Sequence, residues 1–151
     1  MHAYLGGAYM ARRQYDLARG ELQTALRILP DYPDALENYG LLESHLGNYK
    51  AAGPLLERAL QMTPADDPDY DFNAVNFAAV LMQLGNENGA MELLSREIAK
   101  SPTYARAWSN RAVLYYKRGE MGLARADALT ALRLDPGNAQ AQNLMRLLPN
   151  L

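Results

Sequence analysis

Apolar residues recur along this chain at three- and four-residue steps rather than in alternation, a period that predicts helices and no strands. Leu22 and Leu26, Leu56 and Leu60, and Leu94 and Ile98 each fall at i, i+4 spacing. Ala18 and Ala25, then Ala52 and Ala59, share those faces, where a side chain of one carbon lets a neighbouring backbone approach. The apolar stretches, about 14 residues each, are interrupted by Gly47-Asn48, Gly85-Asn86 and Gly119-Glu120. Glycine there supplies the left-handed residue that ends one helix and lets an antiparallel partner follow at once. A single pair of this kind cannot bury its apolar face, so pairs must stack.

The pattern repeats. Pro30, Pro64, Pro102 and Pro136 each close an apolar stretch, and by subtraction they lie 34, 38 and 34 residues apart. Gly47, Gly85 and Gly119 stand 17 residues before the last three prolines, and Arg13 holds that place before Pro30. The same frame aligns Ala18, Ala52, Ala90 and Ala124, then Leu22, Leu56, Leu94 and Ala128, then Leu26, Leu60, Ile98 and Leu132.

With Trp108, Ala112, Tyr115, Gly119, Ala124, Ala131, Leu132 and Pro136 in its clearest copy, the chain resembles the tetratricopeptide repeat, a 34-residue helix-turn-helix unit. The resemblance implies an all-α fold, a right-handed α-solenoid of antiparallel helix pairs, as one array over 1–151. Its copies are 1–32, 33–66, 71–104 and 105–138, followed by a terminal helix at 139–148 that opens a partial fifth copy. Ala141, Leu144, Met145 and Leu148 give that helix an apolar face, while Gln142 and Arg146 are polar where a further repeat would bury apolar groups. The first copy lacks its first two positions, so an uncapped apolar edge is expected there, open to an upstream helix or to self-association.

Two departures carry expectations of their own. The insertion of Asp67, Pro68, Asp69 and Tyr70 fits either a bulged loop or a helix that starts one turn early. The longer helix is preferred, because Asp67 ahead of Pro68 reads as an N-cap before a first-turn proline. The acids around it lack the glycine and closing glutamate of a calcium loop and are read as charges complementing a helix start. In the third copy Glu97 replaces the small residue of Ala25, Ala59 and Ala131, and is expected to reach the edge of the stack or to meet Arg96 or Lys100.

Composition narrows the chemistry. Among 151 residues, 17 acids against 15 bases give a formal charge of −2, without the basic excess a nucleic-acid binder uses. With no cysteine and only His2 and His45, thiolate metal sites and disulfides are excluded and no catalytic constellation or cofactor site is legible. Gly6-Gly7 lacks the rest of a phosphate-loop fingerprint, and one of the two is expected to be a close-packing glycine matching Gly40. Tyr9, Tyr15, Tyr39, Tyr49 and Tyr115 fall in packing columns and read as core. Charges interrupt every apolar run before membrane-spanning length, and the start has no charged-then-apolar leader. Lack of cysteine suits cytoplasm and periplasm alike, so compartment stays open.

Function is therefore expected on a surface: a non-enzymatic module that binds a peptide or helix of a protein partner. Family alignment implies a concave groove lined by the first helix of each copy. It places Tyr4, Gly7, Met10 and Ala11 there from the first copy, and Asp34, Glu37, Asn38, Leu41, Ser44 and His45 from the second. The third contributes Phe72, Val75, Asn76, Ala79, Met82 and Gln83, and the fourth Arg106, Ser109, Asn110, Val113, Tyr116 and Lys117. Asn38, Asn76 and Asn110 share one column and are expected to form an amide ladder for a peptide main chain, or else to bridge adjacent helices. The clamp by which some relatives grip acidic chaperone tails is not matched: Ala3, Phe72 and Asn76 stand where cations are required, and in the alternative frame so does Glu37. The rival reading is a structural array of a larger protein, serving an enzyme such as a glycosyltransferase or a self-assembling scaffold.

Overall fold

The computed structural model describes residues 1–149, and these form nine α-helices and no strand. They are α1 (His2–Ala11), α2 (Tyr15–Ile28), α3 (Pro33–His45), α4 (Tyr49–Met62), α5 (Tyr70–Gln83), α6 (Glu87–Lys100), α7 (Ala105–Lys117), α8 (Met121–Leu134) and α9 (Ala139–Leu147). The last two residues of the expected fifth copy lie outside the described residues. The helices belong to two compact units, Met1–Leu84 and the segment from Gly85 onward.

In the first unit the pairs α1/α2 and α3/α4 pack in succession, and α5 packs on α4 and α3. Ala18, Leu22 and Leu42 form a core on which Tyr9, Tyr15 and Tyr39 close, and Ala52, Leu56 and Val80 form the next, with Tyr49 and Phe77. In the second unit α7/α8 is the central pair, flanked by α6 and α9. Ala112, Ala124, Ala128 and Ala131 there meet Ala141 and Leu144 of the terminal helix, with Tyr115 and Trp108 packed alongside. The five tyrosines read as core side chains are all packing residues. Gly6 is the close-packing glycine of its pair: a Cβ on it would lie 2.5 Å from Leu22 Cγ, as one on Gly40 would lie 2.6 Å from Leu56 Cγ.

The turns between paired helices follow one recipe. Gly47, Gly85 and Gly119 adopt φ of +79°, +80° and +77°, and the repeat-equivalent Arg13 is forced to +58°. A Cβ at any of the three glycines would meet nothing within 4 Å, so glycine is required there by backbone conformation alone. Arg13 carries the left-handed penalty, on the order of 1–2 kcal/mol. Arg13→Gly is therefore expected to stabilise the chain by about 1 kcal/mol and Gly47→Ala to destabilise it by a similar amount, both read as shifts in urea midpoint.

The insertion corrects one expectation. Helix α5 begins at Tyr70, not at Pro68, and residues 64–69 turn. Asp67 Oδ1 accepts the Asp69 backbone N–H at 2.9 Å, and Tyr70 N–H reaches Asp67 O at 3.1 Å. This local side-chain turn outcompetes the capping role that the Asp-Pro pair suggested. Glu97 is also not at an edge: it is 1% exposed, enclosed beside Leu94 and Ile98 of α6.

Candidate functional site

Within the first unit, groove positions of the first two copies come together. Met10 and Ala11 at the end of α1 meet Leu41 and His45 of α3 around an open depression of about 430 Å³, whose rim includes Arg13 and Tyr15. The short turn after α1 brings Tyr15 back beside α3, where its hydroxyl lies 2.8 Å from His45 Nε2 and the two rings are 5.3 Å apart. The floor is apolar and the rim offers a guanidinium, a phenol and an imidazole. That combination suits an extended or helical peptide carrying an apolar side chain with polar groups beside it.

One turn earlier on α3, Asn38 is half-buried and its Nδ2 points to the Ala3 carbonyl of α1 at 3.5 Å, at the limit of a hydrogen bond. Gly7 faces it, and a Cβ there would come within 3.6 Å of the amide. Asn38 thus links neighbouring helices while its amide lies next to an open glycine. Asn76 on α5 and Asn110 on α7 are more enclosed, at 8% and 6% exposure. Phe72 and Ala79 share the Asn76 face of α5, and Arg106, Val113 and Lys117 share the Asn110 face of α7, by helical spacing. Arg106 and Lys117 are exposed, and Val113 packs toward the α8 and α9 core.

Glu37 stands apart from this apolar patch. It lines a small polar pocket with Pro33 and Asp34 of α3, Thr63 and Pro64 after α4, Asp67 and Asp69 of the insertion, and Asn73 of α5. Its carboxyl is pushed up to about 7, first by burial and further by the charges of Asp69 and Asp34, against a lowering hydrogen bond with Asn73. Since the folded value lies above the unfolded one, the folded chain keeps a proton that the unfolded chain loses as pH rises from 4.5. Stability from this group is therefore complete below that window and declines toward about pH 7, by no more than about 1 kcal/mol for a half-exposed side chain. Glu37→Gln is expected to flatten this part of the pH dependence in thermal unfolding.

Sequence reasoning placed Glu37 on the groove face but missed its pocket. The inserted Asp67 and Asp69 were the available signal, and only the loop form of the insertion brings them near Asn73. It also missed two charged pairs inside the packing. Glu43, 5% exposed, accepts from Arg19 Nε at 2.9 Å and from Asn48 at 2.7 Å. Arg111 pairs with Asp127. Among the described residues no helix is long and apolar enough to cross a membrane.

The sequence profile of the tetratricopeptide repeat matches residues 5–67, and a second profile of the same repeat matches residues 105–138. A cellulose synthase operon protein C of Komagataeibacter sucrofermentans is 44% identical over 57 residues, which are 38% of this chain and 4% of that protein. The chain thus spans a small fraction of the length of the curated relatives it matches. Among solved structures, YrrB, described as a TPR protein with an unusual peptide-binding site, superposes with a TM-score of 0.81 at 22% identity, over 93% of this chain and 71% of its own. The Cut9–Hcn1 hetero-tetramer of the APC/C gives 0.87 at 18% identity, covering 99% of this chain and 29% of that one. At these identities the likeness establishes the fold, an all-helical α-solenoid.

Proposed function

From the premise that this chain belongs to the tetratricopeptide-repeat family, a fold that serves protein interaction and scaffolding and is typically non-catalytic, we propose that it binds a peptide or helix of a protein partner on the face formed by the first helix of each repeat. One observation carries this reading. Met10, Ala11, Leu41 and His45, contributed by two different repeats, line a single depression with an apolar floor. In this reading an apolar side chain of the partner fills that depression, and Asn38 exchanges its long bond to Ala3 for a shorter one to the partner's main chain. Within the first unit Asn76 adds a further amide, with Phe72 and Ala79 on the same face of α5, and within the second unit Asn110 offers its amide beside Arg106, Val113 and Lys117 on α7.

The test is selection of binders from a randomised displayed-peptide library, followed by affinity measurement on variants. Leu41→Asp, and Asn38, Asn76 and Asn110 replaced together by Ala, are each expected to weaken selected peptides by at least about tenfold. Unchanged affinity in folded variants would remove these residues from the site.

The relatives favour a second reading. A local match to much larger cellulose synthase operon proteins suits an array that organises an assembly around a polysaccharide-forming enzyme. Tyr4, 80% exposed on α1, offers an apolar contact for self-association in such a scaffold. Concentration-dependent light scattering that Tyr4→Ser abolishes would support it, and a strict monomer would count against self-assembly.

A further inference from the structure

Among the described residues Arg13 is the left-handed residue that carries a side chain, where the other three copies place glycine. Glycine adopts such a conformation at no steric cost, so a φ of +58° keeps this guanidinium in place against the preference of the backbone. The turn does not need the side chain, because Gly47, Gly85 and Gly119 make the equivalent turn without one. Strain of this kind concentrates at ligand-binding sites, and Arg13 lies on the rim of the depression between α1 and α3.

A second observation is independent of that strain: the charge is unclaimed. Among the described residues Arg13 makes no ion pair, side-chain hydrogen bond or ring contact. The acids on the neighbouring helices are engaged elsewhere, Glu43 by Arg19 and Asn48, while the charge of Asp16 acts on Arg19. Nor is Arg13 needed to complement the negative end of α1, since Arg12 at the C-cap already brings a cation there. Met10, Ala11, Tyr15, Leu41 and His45 complete the lining of the depression, and no carboxylate is among them. The site therefore joins an apolar floor to an unpaired cation.

We propose that Arg13 is a specificity-determining residue of this site and selects a partner helix that carries an acidic side chain one turn away from an apolar one. The inference deepens the peptide-binding reading and rests on it for the site itself. The apolar residue fills the floor against Met10 and Leu41, and the aspartate or glutamate carboxylate meets the Arg13 guanidinium, whose planar fork matches it with two parallel hydrogen bonds. The spacing favours a helical partner. Arg13 N–H donates to Met10 O at 2.9 Å, so the cation and the floor residue are themselves one turn apart. On a helix an apolar residue and an acid three or four places along share one face, about 5–6 Å apart. In an extended segment adjacent side chains point to opposite sides. A chain-terminal carboxylate shares its Cα with the side chain that would fill the floor, so it does not span that turn.

The probe is an acetylated and amidated alanine-rich helical peptide of about 16 residues with one leucine and, four places on, one glutamate, titrated into the isotopically labelled whole chain. The backbone signals of Ala11, Leu41 and His45 are expected to shift saturably, and a peptide with glutamine in place of the glutamate should bind about two- to fivefold more weakly, the range that an exposed ion pair supports. Arg13→Gly should erase this preference while raising the urea midpoint, so lost selectivity cannot be lost folding. Arg13→Lys should retain part of it, and added salt should shrink it. A glutamate preference that survives in Arg13→Gly would overturn the proposal, as would tighter binding of a peptide ending in leucine with a free carboxylate, or no shift with the glutamate peptide. Equal affinity for the glutamate and glutamine peptides, still lost on Leu41→Asp, would overturn the role of Arg13 and leave peptide capture standing. The wider reading fails on a different result, library binders that are indifferent to Leu41→Asp.

Discussion

Asp127→Ala is expected to destabilise the second unit by about 3–5 kcal/mol, a large share of the 5–15 kcal/mol that holds a domain of ordinary size together. The Arg111 and Asp127 side chains are only 16% and 8% exposed, so their charges are mostly shielded from water. Arg111 Nε donates to Asp127 Oδ2 at 2.6 Å and its Nη2 to Oδ1 at 3.1 Å, the two-pronged fit of a guanidinium on a carboxylate. Nη1 reaches Ser95 Oγ at 3.3 Å, and the guanidinium carbon lies 5.2 Å from the Trp108 ring centre and 5.6 Å from that of Tyr115. The hydrogen bond to Asp127 raises the Arg111 pKa against the lowering effect of burial, so the arginine stays charged and has no neutral form to retreat to. Truncating Asp127 leaves that charge in a site built for a pair. Arg111→Lys is also expected to be costly, because an ammonium cannot reproduce the planar fork or its stacking. The double variant Arg111→Met with Asp127→Leu should recover most of the loss, since the principal expense is an unpaired buried charge. Trp108, the single tryptophan of the chain, reports on this cluster, and its fluorescence during urea unfolding measures all four proteins. A loss under about 1 kcal/mol for Asp127→Ala would show that water reaches the pair and that it behaves as a surface bridge.

The repeat frame was legible because its determinants are local. Three glycines with positive φ, and the alanines and leucines at i, i+4 spacing, each state a backbone or packing requirement within one helix pair. Even the exception was visible, since Arg13 occupies a glycine column and takes the glycine conformation. That Met10 and Ala11 of α1 and Leu41 and His45 of α3 share one face was legible for the same reason: column alignment fixes which way a helical residue points. It does not fix how far neighbours cover that residue, which is why one asparagine column contains the half-buried Asn38 and the enclosed Asn76 and Asn110. The insertion shows a different limit. An aspartate before proline stabilises a helix start and an aspartate turn by the same side-chain oxygen, so the choice between them rests on surroundings that a linear reading lacks. Arg111 and Asp127 lie on separate helices, and nothing in their local spacing marks them as partners.

The second large effect concerns Gly40 and Leu56. A Cβ on Gly40 would stand 2.6 Å from Leu56 Cγ, 2.7 Å from its Cδ2 and 3.3 Å from its backbone nitrogen. Leu56 has no exposure at all, so its branch point cannot swing into solvent to make room. Gly40→Ala is accordingly expected to cost about 1–3 kcal/mol, despite the better helix propensity of alanine. Leu56→Ala opens a cavity and should cost about 2–5 kcal/mol. The two errors are opposite in sense: one adds volume where the other removes it. The fourth copy already holds the combined solution, with Ala112 and Ala128 in the Gly40 and Leu56 columns, both buried in one core cluster. Gly40→Ala with Leu56→Ala should therefore be less destabilised than the sum of the single variants, by a coupling of about 1–3 kcal/mol. Simple additivity across the four proteins, measured by urea unfolding, would mean that the helices move apart to admit the alanine and that close approach at Gly40 is not what holds α3 against α4.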